Sequence, residues 1–237
     1  MNIAIILAGG IGQRVGVNRP KQFIEVQNKP IIAYTLDVFQ KHSEIDAIEV
    51  VCVDKWKDYL IEIISKYNFS KVKWIANGGA TFQESVLNGV SYLENKINDT
   101  DIVMTHFAAS PYVDEYIISD CIRVCKEKGN AISTTPFYLL SGYKDANGKS
   151  SSKWIDRESL CCMNSPHAFS YGLIKRIFDE AIETGIINEV EPHTTTLMQR
   201  MGYTVHFSKG TQRNMKITTI EDVEFFEKYM LSYQIKN

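Results

Sequence analysis

Short apolar runs alternate with amphipathic stretches along the first part of the chain. The first run, Ile3 to Leu7, is rich in β-branched residues and is typical of a strand buried on both faces. In Ile31 to Lys41 the apolar residues instead recur at helical spacing, and Pro30 suits a first helical turn. The same alternation predicts further strands and helices, in chain order Ile45–Val53, Lys55–Tyr67, Val72–Ala76, a helix after Thr81, Asp101–Thr105, Asp114–Lys126 and Ala131–Thr135.

Strands that alternate with helices predict an α/β fold, a doubly wound and mainly parallel sheet. Ligands of such folds bind at the carboxyl ends of the strands, where we expect the loops 8–21, 77–85 and 106–111 to converge. Thr81 followed by Glu84 has the spacing of a capping box, which predicts that a helix begins there.

The alternation stops after residue 136. A polar stretch with a turn-forming Asn147–Gly148 pair predicts a β-hairpin arm at about residues 137–158. Beyond the arm we expect a helix at Ser170–Glu183, a strand at Tyr203–Phe207 and a closing helix at Ile220–Met230. Residues 1–237 are expected to form one domain from which the arm protrudes.

Composition narrows the classes of partner and compartment. A net charge of -2 gives no electrostatic reason to expect a nucleic-acid partner. No apolar stretch is long enough to span a bilayer, and the chain starts directly in a strand without a signal-like region, so we expect a cytoplasmic protein without a membrane partner. The odd number of cysteines, without a CxxC pair, favours free thiols: Cys52, Cys121, Cys125, Cys161 and Cys162.

A glycine-rich loop with two cations follows the first strand. Small residues from Ala8 to Gly12 let backbone amides approach an anion, and Arg14 and Lys21 add positive charge, so this stretch predicts a triphosphate site. The spacing excludes a P-loop, because no Lys-Ser or Lys-Thr follows the glycines. A dinucleotide-binding dehydrogenase is a weaker alternative, because its acidic ribose ligand would have to be Asp37, which falls inside a predicted helix.

The motifs LAGGIGQR and RPKQF resemble those of nucleotidyltransferases that join a sugar-type phosphate to a nucleoside triphosphate. The PKQF ending resembles one branch, the cytidylyltransferases of methylerythritol phosphate or ribitol phosphate, and the resemblance extends to Lys216 and Thr218. It implies a Rossmann-like nucleotidyltransferase fold, CTP and a polyol phosphate as substrates, and release of pyrophosphate. It also implies a homodimer clasped by the arm and Mg²⁺ carried by the CTP phosphates.

The resemblance further implies roles for individual residues. Arg14, Lys21 and Lys216 would be catalytic cations on the triphosphate and its α-phosphate, and Arg157 would bind the phosphate of the second substrate. The positions that match the family's nucleotide-binding motifs are Ala8, Gly9, Gly10, Gly12, Gly78, Gly79 and Ser85.

Several positions depart from the family pattern. Phe107 and His193 stand where the two metal-binding carboxylates are expected, and neither side chain suits magnesium. In the base-recognition loop Ala80 and Phe82 replace an Asp and an Arg, and Leu139 to Ser141 replace an Asp-Thr pair that would meet the polyol.

These departures leave two interpretations of function. The protein transfers CMP to a different alcohol phosphate, or it is a catalytically impaired nucleotide-binding homologue that acts as a subunit or regulator. Losing both carboxylates predicts a large drop in rate, because each ~1.4 kcal/mol of lost charge stabilisation is a factor of about ten. His106 and His193 suit a softer transition metal, or they are structural histidines.

Overall fold

The computed structural model describes residues 1–10, 19–189 and 193–236 of the chain, with side chains up to residue 232. The strands, in chain order, are β1 (Asn2–Ala8), β2 (Glu25–Val26), β3 (Lys29–Pro30), β4 (Ala47–Cys52), β5 (Val72–Asn77), β6 (Ile102–Phe107), β7 (Asn130–Pro136), β8 (Cys161–Ser170) and β9 (Phe207–Lys209). The helices are α1 (Ile31–Lys41), α2 (Lys57–Lys66), α3 (Phe82–Tyr92), α4 (Glu115–Lys128), α5 (Tyr171–Glu183), α6 (Thr194–Arg200) and α7 (Ile220–Lys236).

The main sheet has the strand order β5-β4-β1-β6-β8-β7-β9. β1 pairs in parallel with β4 and β6, β4 pairs in parallel with β5, and β7 pairs in parallel with β9. Only β8, among these strands, runs antiparallel to its neighbours β6 and β7. The predicted α/β fold with a mainly parallel sheet is therefore confirmed.

The side chains of β1 alternate between two apolar cores, one on each face of the sheet. Ile6 packs in the core formed with α1, α2 and α4, and Ile5 packs in the core formed with α3, α5 and α6. Burial on both faces explains why β1 reads as a continuous apolar run rather than an alternating one.

The carboxyl-terminal third differs from the predicted pattern. β8 and α6 have no counterpart in the elements predicted from the sequence. The strand expected at Tyr203–Phe207 lies instead at Phe207–Lys209. The preceding residues are held to β7 mainly by the Asn130 side chain, which donates to the Thr204 carbonyl at 3.0 Å and accepts from the His206 amide at 3.0 Å. One backbone bond, from the Ile132 amide to the His206 carbonyl at 2.8 Å, adds to these contacts.

One backbone contact supports the predicted hairpin arm. An antiparallel bridge joins Gly142 to Trp154, and Gly148 occupies the turn with a φ of 67° that suits glycine. The arm presents apolar side chains to solvent, since Leu140 is 93% exposed and Trp154 is 81% exposed. That the whole chain forms one domain stays a prediction. Within the described part of the chain no helix is both long and apolar enough to cross a membrane.

Candidate active site

A cavity of about 850 Å³ lies at the carboxyl ends of β1, β4, β5 and β6. Its lining comes from the three loops expected to converge there: Gly9 to Gly10 with Lys21, Asn77 to Phe82, and Phe107 with Ala109. Two further segments also line it, Val53–Asp54 at the end of β4 and Lys216 with Thr218. The carboxyl-end rule therefore located the cavity correctly.

The described part of the glycine loop is held in place by Gln22. This side chain is 2% exposed, and its amide nitrogen donates to the Ala8 carbonyl at 2.7 Å and to the Gly10 carbonyl at 2.9 Å. Phe23, next in the chain, is fully buried and stacks on Trp56 with 5.2 Å between ring centroids. These contacts fix the short helical turn Lys21–Phe23, so Lys21 is positioned against the loop that precedes it.

The two predicted nucleotide-binding loops lie close enough to require glycine. A Cβ atom on Gly9 would lie 2.7 Å from the Ser85 hydroxyl oxygen, and one on Gly78 would lie 3.2 Å from the Gly9 Cα. A Cβ on Gly79 would meet the Ser85 backbone nitrogen at 2.9 Å. The distances at Gly9 and Gly79 are shorter than a Cβ atom tolerates, and the distance at Gly78 is tighter than most Cβ contacts, so the two loops pack backbone to backbone along this wall of the cavity.

Ser85 and Glu84 order the loop before α3. The Ser85 hydroxyl accepts from the Gly79 amide at 3.0 Å and donates to the Thr81 carbonyl at 2.9 Å. The predicted capping box is present, with the Glu84 amide donating to the Thr81 hydroxyl at 3.1 Å and the Glu84 carboxylate accepting from the Thr81 amide at 3.3 Å. The Glu84 carboxylate also accepts from the Ala80 amide at 2.6 Å. The Ser85 hydroxyl therefore uses its donor and one acceptor position for hydrogen bonds within the loop.

Lys21 and Lys216 line the same cavity, although they are far apart in the sequence. Lys216 is brought there by the next residue, because the Ile217 amide donates to the Ala109 carbonyl at 2.8 Å and the Ile217 side chain is buried. Asp222 holds the following turn by accepting from the Thr218 amide at 2.7 Å. The other two predicted residues of the first loop, Gly12 and Arg14, lie outside the described residues.

Arg157 lies apart from these lysines within one chain. It belongs to a short helical turn after the arm, and its guanidinium donates to the Tyr138 carbonyl at 3.2 Å. It is not among the described residues that line the cavity or its neighbour.

Phe107 and His193, which stand where metal-binding carboxylates were expected, both contact the ring of Phe82. Phe82 lies 5.2 Å from Phe107 and 5.3 Å from His193, measured between ring centroids. The Lys216 ammonium lies 3.4 Å from the centroid of Phe107. Among the described residues no group of three His, Cys, Asp or Glu side chains is arranged to hold a metal ion. The side chains present therefore do not fit magnesium, which prefers oxygen ligands.

A second cavity, of about 390 Å³, adjoins the first and shares Phe107 and Lys216 with it. Most of its other side chains are neutral hydrogen-bonding groups, among them Asn164, Thr195 and Gln199. His167 also lines it, and burial lowers the pKa of this imidazole to about 4, so that it is neutral at physiological pH. Neutral donors and acceptors of this kind suit a polyol.

His106 is a structural histidine. Its Nε2 lies 2.9 Å from the Ser110 carbonyl oxygen, and its ring packs against Phe39. Burial lowers the pKa of His106 to about 4, so this side chain is uncharged in the folded protein.

Sequence reasoning missed most of the second cavity and the role of Gln22. Most of its lining comes from β8 and α6, two elements that were not predicted. Gln22 stands within the RPKQF motif, but its task depends on the folded position of the Ala8 carbonyl. Asp54 follows directly after a predicted strand, so the carboxyl-end rule could have found it.

Comparison with known proteins identifies the family. The family model described as IspD, 2-C-methyl-D-erythritol 4-phosphate cytidylyltransferase, matches residues 2–232. A ribitol-5-phosphate cytidylyltransferase of Lacticaseibacillus paracasei is 39% identical, over 97% of this chain and 98% of that protein. A 2-C-methyl-D-erythritol 4-phosphate cytidylyltransferase of Clostridium acetobutylicum is 37% identical, over 94% of each.

The fold is shared with a solved structure of the same family. The crystal structure of 4-diphosphocytidyl-2C-methyl-D-erythritol synthase from Anaerococcus prevotii superimposes with a TM-score of 0.82 at 23% identity, covering 97% of this chain and 98% of that one. With the family model spanning nearly the whole chain and relatives this similar over their full lengths, the chain belongs to the 2-C-methyl-D-erythritol 4-phosphate cytidylyltransferase family.

Proposed function

We propose that this protein transfers CMP from CTP to a sugar-alcohol phosphate and releases pyrophosphate. Ribitol phosphate and methylerythritol phosphate are the candidate acceptors, because the relatives named above act on these two compounds. One observation carries the proposal: the large cavity beside the glycine loops and the smaller polyol-suited cavity meet at Lys216. A cation at that junction lies where a phosphate of each substrate would meet.

The reaction needs no protein nucleophile, because an ionised acceptor phosphate can attack directly. One of its oxygens forms a bond to the α-phosphorus of CTP, and the bond from that phosphorus to the bridging oxygen of the β-phosphate breaks, which releases pyrophosphate. Both reactants are anions, so the protein must hold them in line and offset their charge. Lys21 and Lys216 supply this charge within the described cavity, and we assign Arg14 to the triphosphate on the basis of its motif.

The loop before α3 is proposed to bind the cytosine. Its backbone at Gly78 and Gly79 lines the cavity, and the hydrogen bonds of Ser85 and Glu84 hold the loop in place. A rigid array of backbone groups can read the edge of a base without a charged side chain.

We propose a homodimer in which the arm of one chain contacts the other. The exposure of Leu140 and Trp154 supports this, since contiguous apolar surface marks an interaction site. Arg157 lines neither cavity of its own chain, so its proposed contact with the acceptor phosphate would be made in the partner's site. All five cysteines are free thiols, which supports a reducing compartment, and we propose the cytoplasm.

A second candidate function is nucleotide binding without turnover, as a subunit or regulator of another enzyme. The contact of Phe82 with both Phe107 and His193 favours it, because apolar rings fill the space expected for the metal carboxylates.

Pyrophosphate release from CTP, measured with a panel of polyol phosphates, separates the two functions. Turnover that requires an acceptor, and that falls about a hundredfold or more in Lys216→Met, supports the transferase. Lys209→Met, on the exposed surface of β9, is the matched control and is expected to keep wild-type activity. CTP binding by calorimetry without turnover for any acceptor favours the second function, and absence of CTP binding contradicts both.

A further inference from the structure

The wall between the two cavities is built from three rings and one ammonium group. Phe82 contacts Phe107 and His193, and Lys216 lies 3.4 Å above the centre of the Phe107 ring. A cation over the face of an aromatic ring is attracted by the negative potential of that face. Phe107 therefore positions the Lys216 ammonium at the junction of the cavities.

The described lining has charges that suit an anion and not a dication. Lys21 and Lys216 are its cations, and Asp54 is its only acidic side chain among the described residues. Asp54 is 89% exposed and lies 3.1 Å from the Lys57 ammonium, so its charge is already offset. A divalent cation near Phe107 would meet a ring face already covered by an ammonium group, and in the described part of the chain no carboxylate other than Asp54 lines this cavity.

We propose that this protein binds its nucleoside triphosphate without help from a divalent cation, with Lys216 on Phe107 standing where a metal would otherwise neutralise the phosphates. This inference rests on the proposed nucleotide site and specifies its ligand, the metal-free triphosphate anion. Phe107 acts as a positioning residue, because its ring holds the ammonium and itself supplies no oxygen ligand for a metal. Magnesium bound to CTP in solution is a ligand of the nucleotide alone, and it adds no contact to the protein.

The test is the dissociation constant of CTP, measured by calorimetry in EDTA and in magnesium chloride at equal ionic strength. For the wild-type protein we expect binding in EDTA to be as tight as in magnesium within about threefold, or tighter. Phe107→Asp introduces a carboxylate beside Lys216, and we expect magnesium to tighten its CTP binding about tenfold. Phe107→Leu keeps the apolar volume without the ring, so it should bind about threefold more weakly in both buffers and stay metal-independent.

The wild-type measurement alone decides the inference. CTP binding that is more than about threefold tighter in magnesium than in EDTA would overturn the inference and leave the proposed nucleotide site standing. CTP binding in neither buffer would overturn the proposed site and the inference together. Metal-independent binding by the wild type, with magnesium dependence acquired by Phe107→Asp, supports it.

Discussion

The side-chain amide of Gln22, which lines the larger cavity, donates a hydrogen bond of 2.7 Å to the Ala8 carbonyl. A second bond of 2.9 Å from the same nitrogen reaches the Gly10 carbonyl. One buried nitrogen thus joins the end of β1 to the turn that carries Lys21. The position of that lysine depends on this contact.

Gln22→Glu is expected to weaken CTP binding about tenfold, because it turns the donor into an oxygen that faces two carbonyl oxygens. The dissociation constant of CTP measures the effect. Gln40→Glu, at a glutamine that bonds to Ser70 and Lys71, is the matched control and should bind CTP normally. Equal binding by both variants would contradict the anchoring role.

Gly79→Ala should destabilise the protein by about 1–3 kcal/mol, as overpacking does. The new Cβ would lie 2.3 Å from the Glu84 Cβ, so the loop or the capping box must shift. Gly10→Ala is the control, because a Cβ there meets no atom within 4 Å. Thermal unfolding compares the two, and a loss in Gly10→Ala as large as in Gly79→Ala would contradict the steric reason.

The pH dependence of stability should depend on Glu49. This side chain is fully buried on β4, and neither of its carboxylate oxygens has a hydrogen-bond partner among the described residues. Burial raises its pKa from 4.5 to about 8, opposed in part by Lys96. Between these pH values the folded protein keeps a proton that the unfolded chain releases, so this group's contribution lowers the free energy of unfolding as pH rises from 4.5 to 8.

Glu49→Gln removes that pH-dependent cost and keeps the shape of the side chain. We expect the variant to gain stability over the wild type as pH rises, by on the order of a few kcal/mol at pH 8 and little near pH 4.5. Chemical denaturation across this range measures the difference, with the exposed Glu62→Gln as control. A difference that does not change with pH would contradict the raised pKa.

Mixing two inactive variants tests the proposed contribution of Arg157 to the partner's site. In a heterodimer of Arg157→Met with Lys216→Met, one site would carry both changes and the other would carry neither. An equal mixture should therefore regain about a quarter of wild-type activity after subunit exchange, as two-fold symmetry requires. No recovery from a mixture that contains heterodimers would contradict a role in the partner's site.

The arm is expected to hold that dimer together. Trp154→Ser should shift the sedimenting species toward monomer, because it removes a large apolar side chain that is 81% exposed in the single chain. Ile61→Ser, at an exposed apolar residue of α2, is the control and should leave the mass unchanged. A Trp154→Ser protein that sediments as the wild-type dimer would contradict the proposed interface.

Most of the first half of the fold could be predicted, because its signals are local. Apolar runs and helical spacing within ten or so residues identify β1, α1 and α3, and the capping box marks where α3 begins. The later elements could not be predicted in the same way. β8 mixes polar and apolar residues, so its own sequence does not indicate a strand. Its conformation is set by hydrogen bonds to the neighbouring strands β6 and β7, which are distant in the chain.

By itself the sequence determined the alternation of strands and helices, the end of the strands at which a ligand would bind, and the two glycine loops. Each of these follows from residues close together in the chain. Tertiary structure alone decided that Phe107, Phe82, His193 and Lys216 meet, and that Gln22 bonds to the end of β1. Contacts between residues distant in the chain depend on how the strands are ordered and how their ends are packed, and no local periodicity records that arrangement.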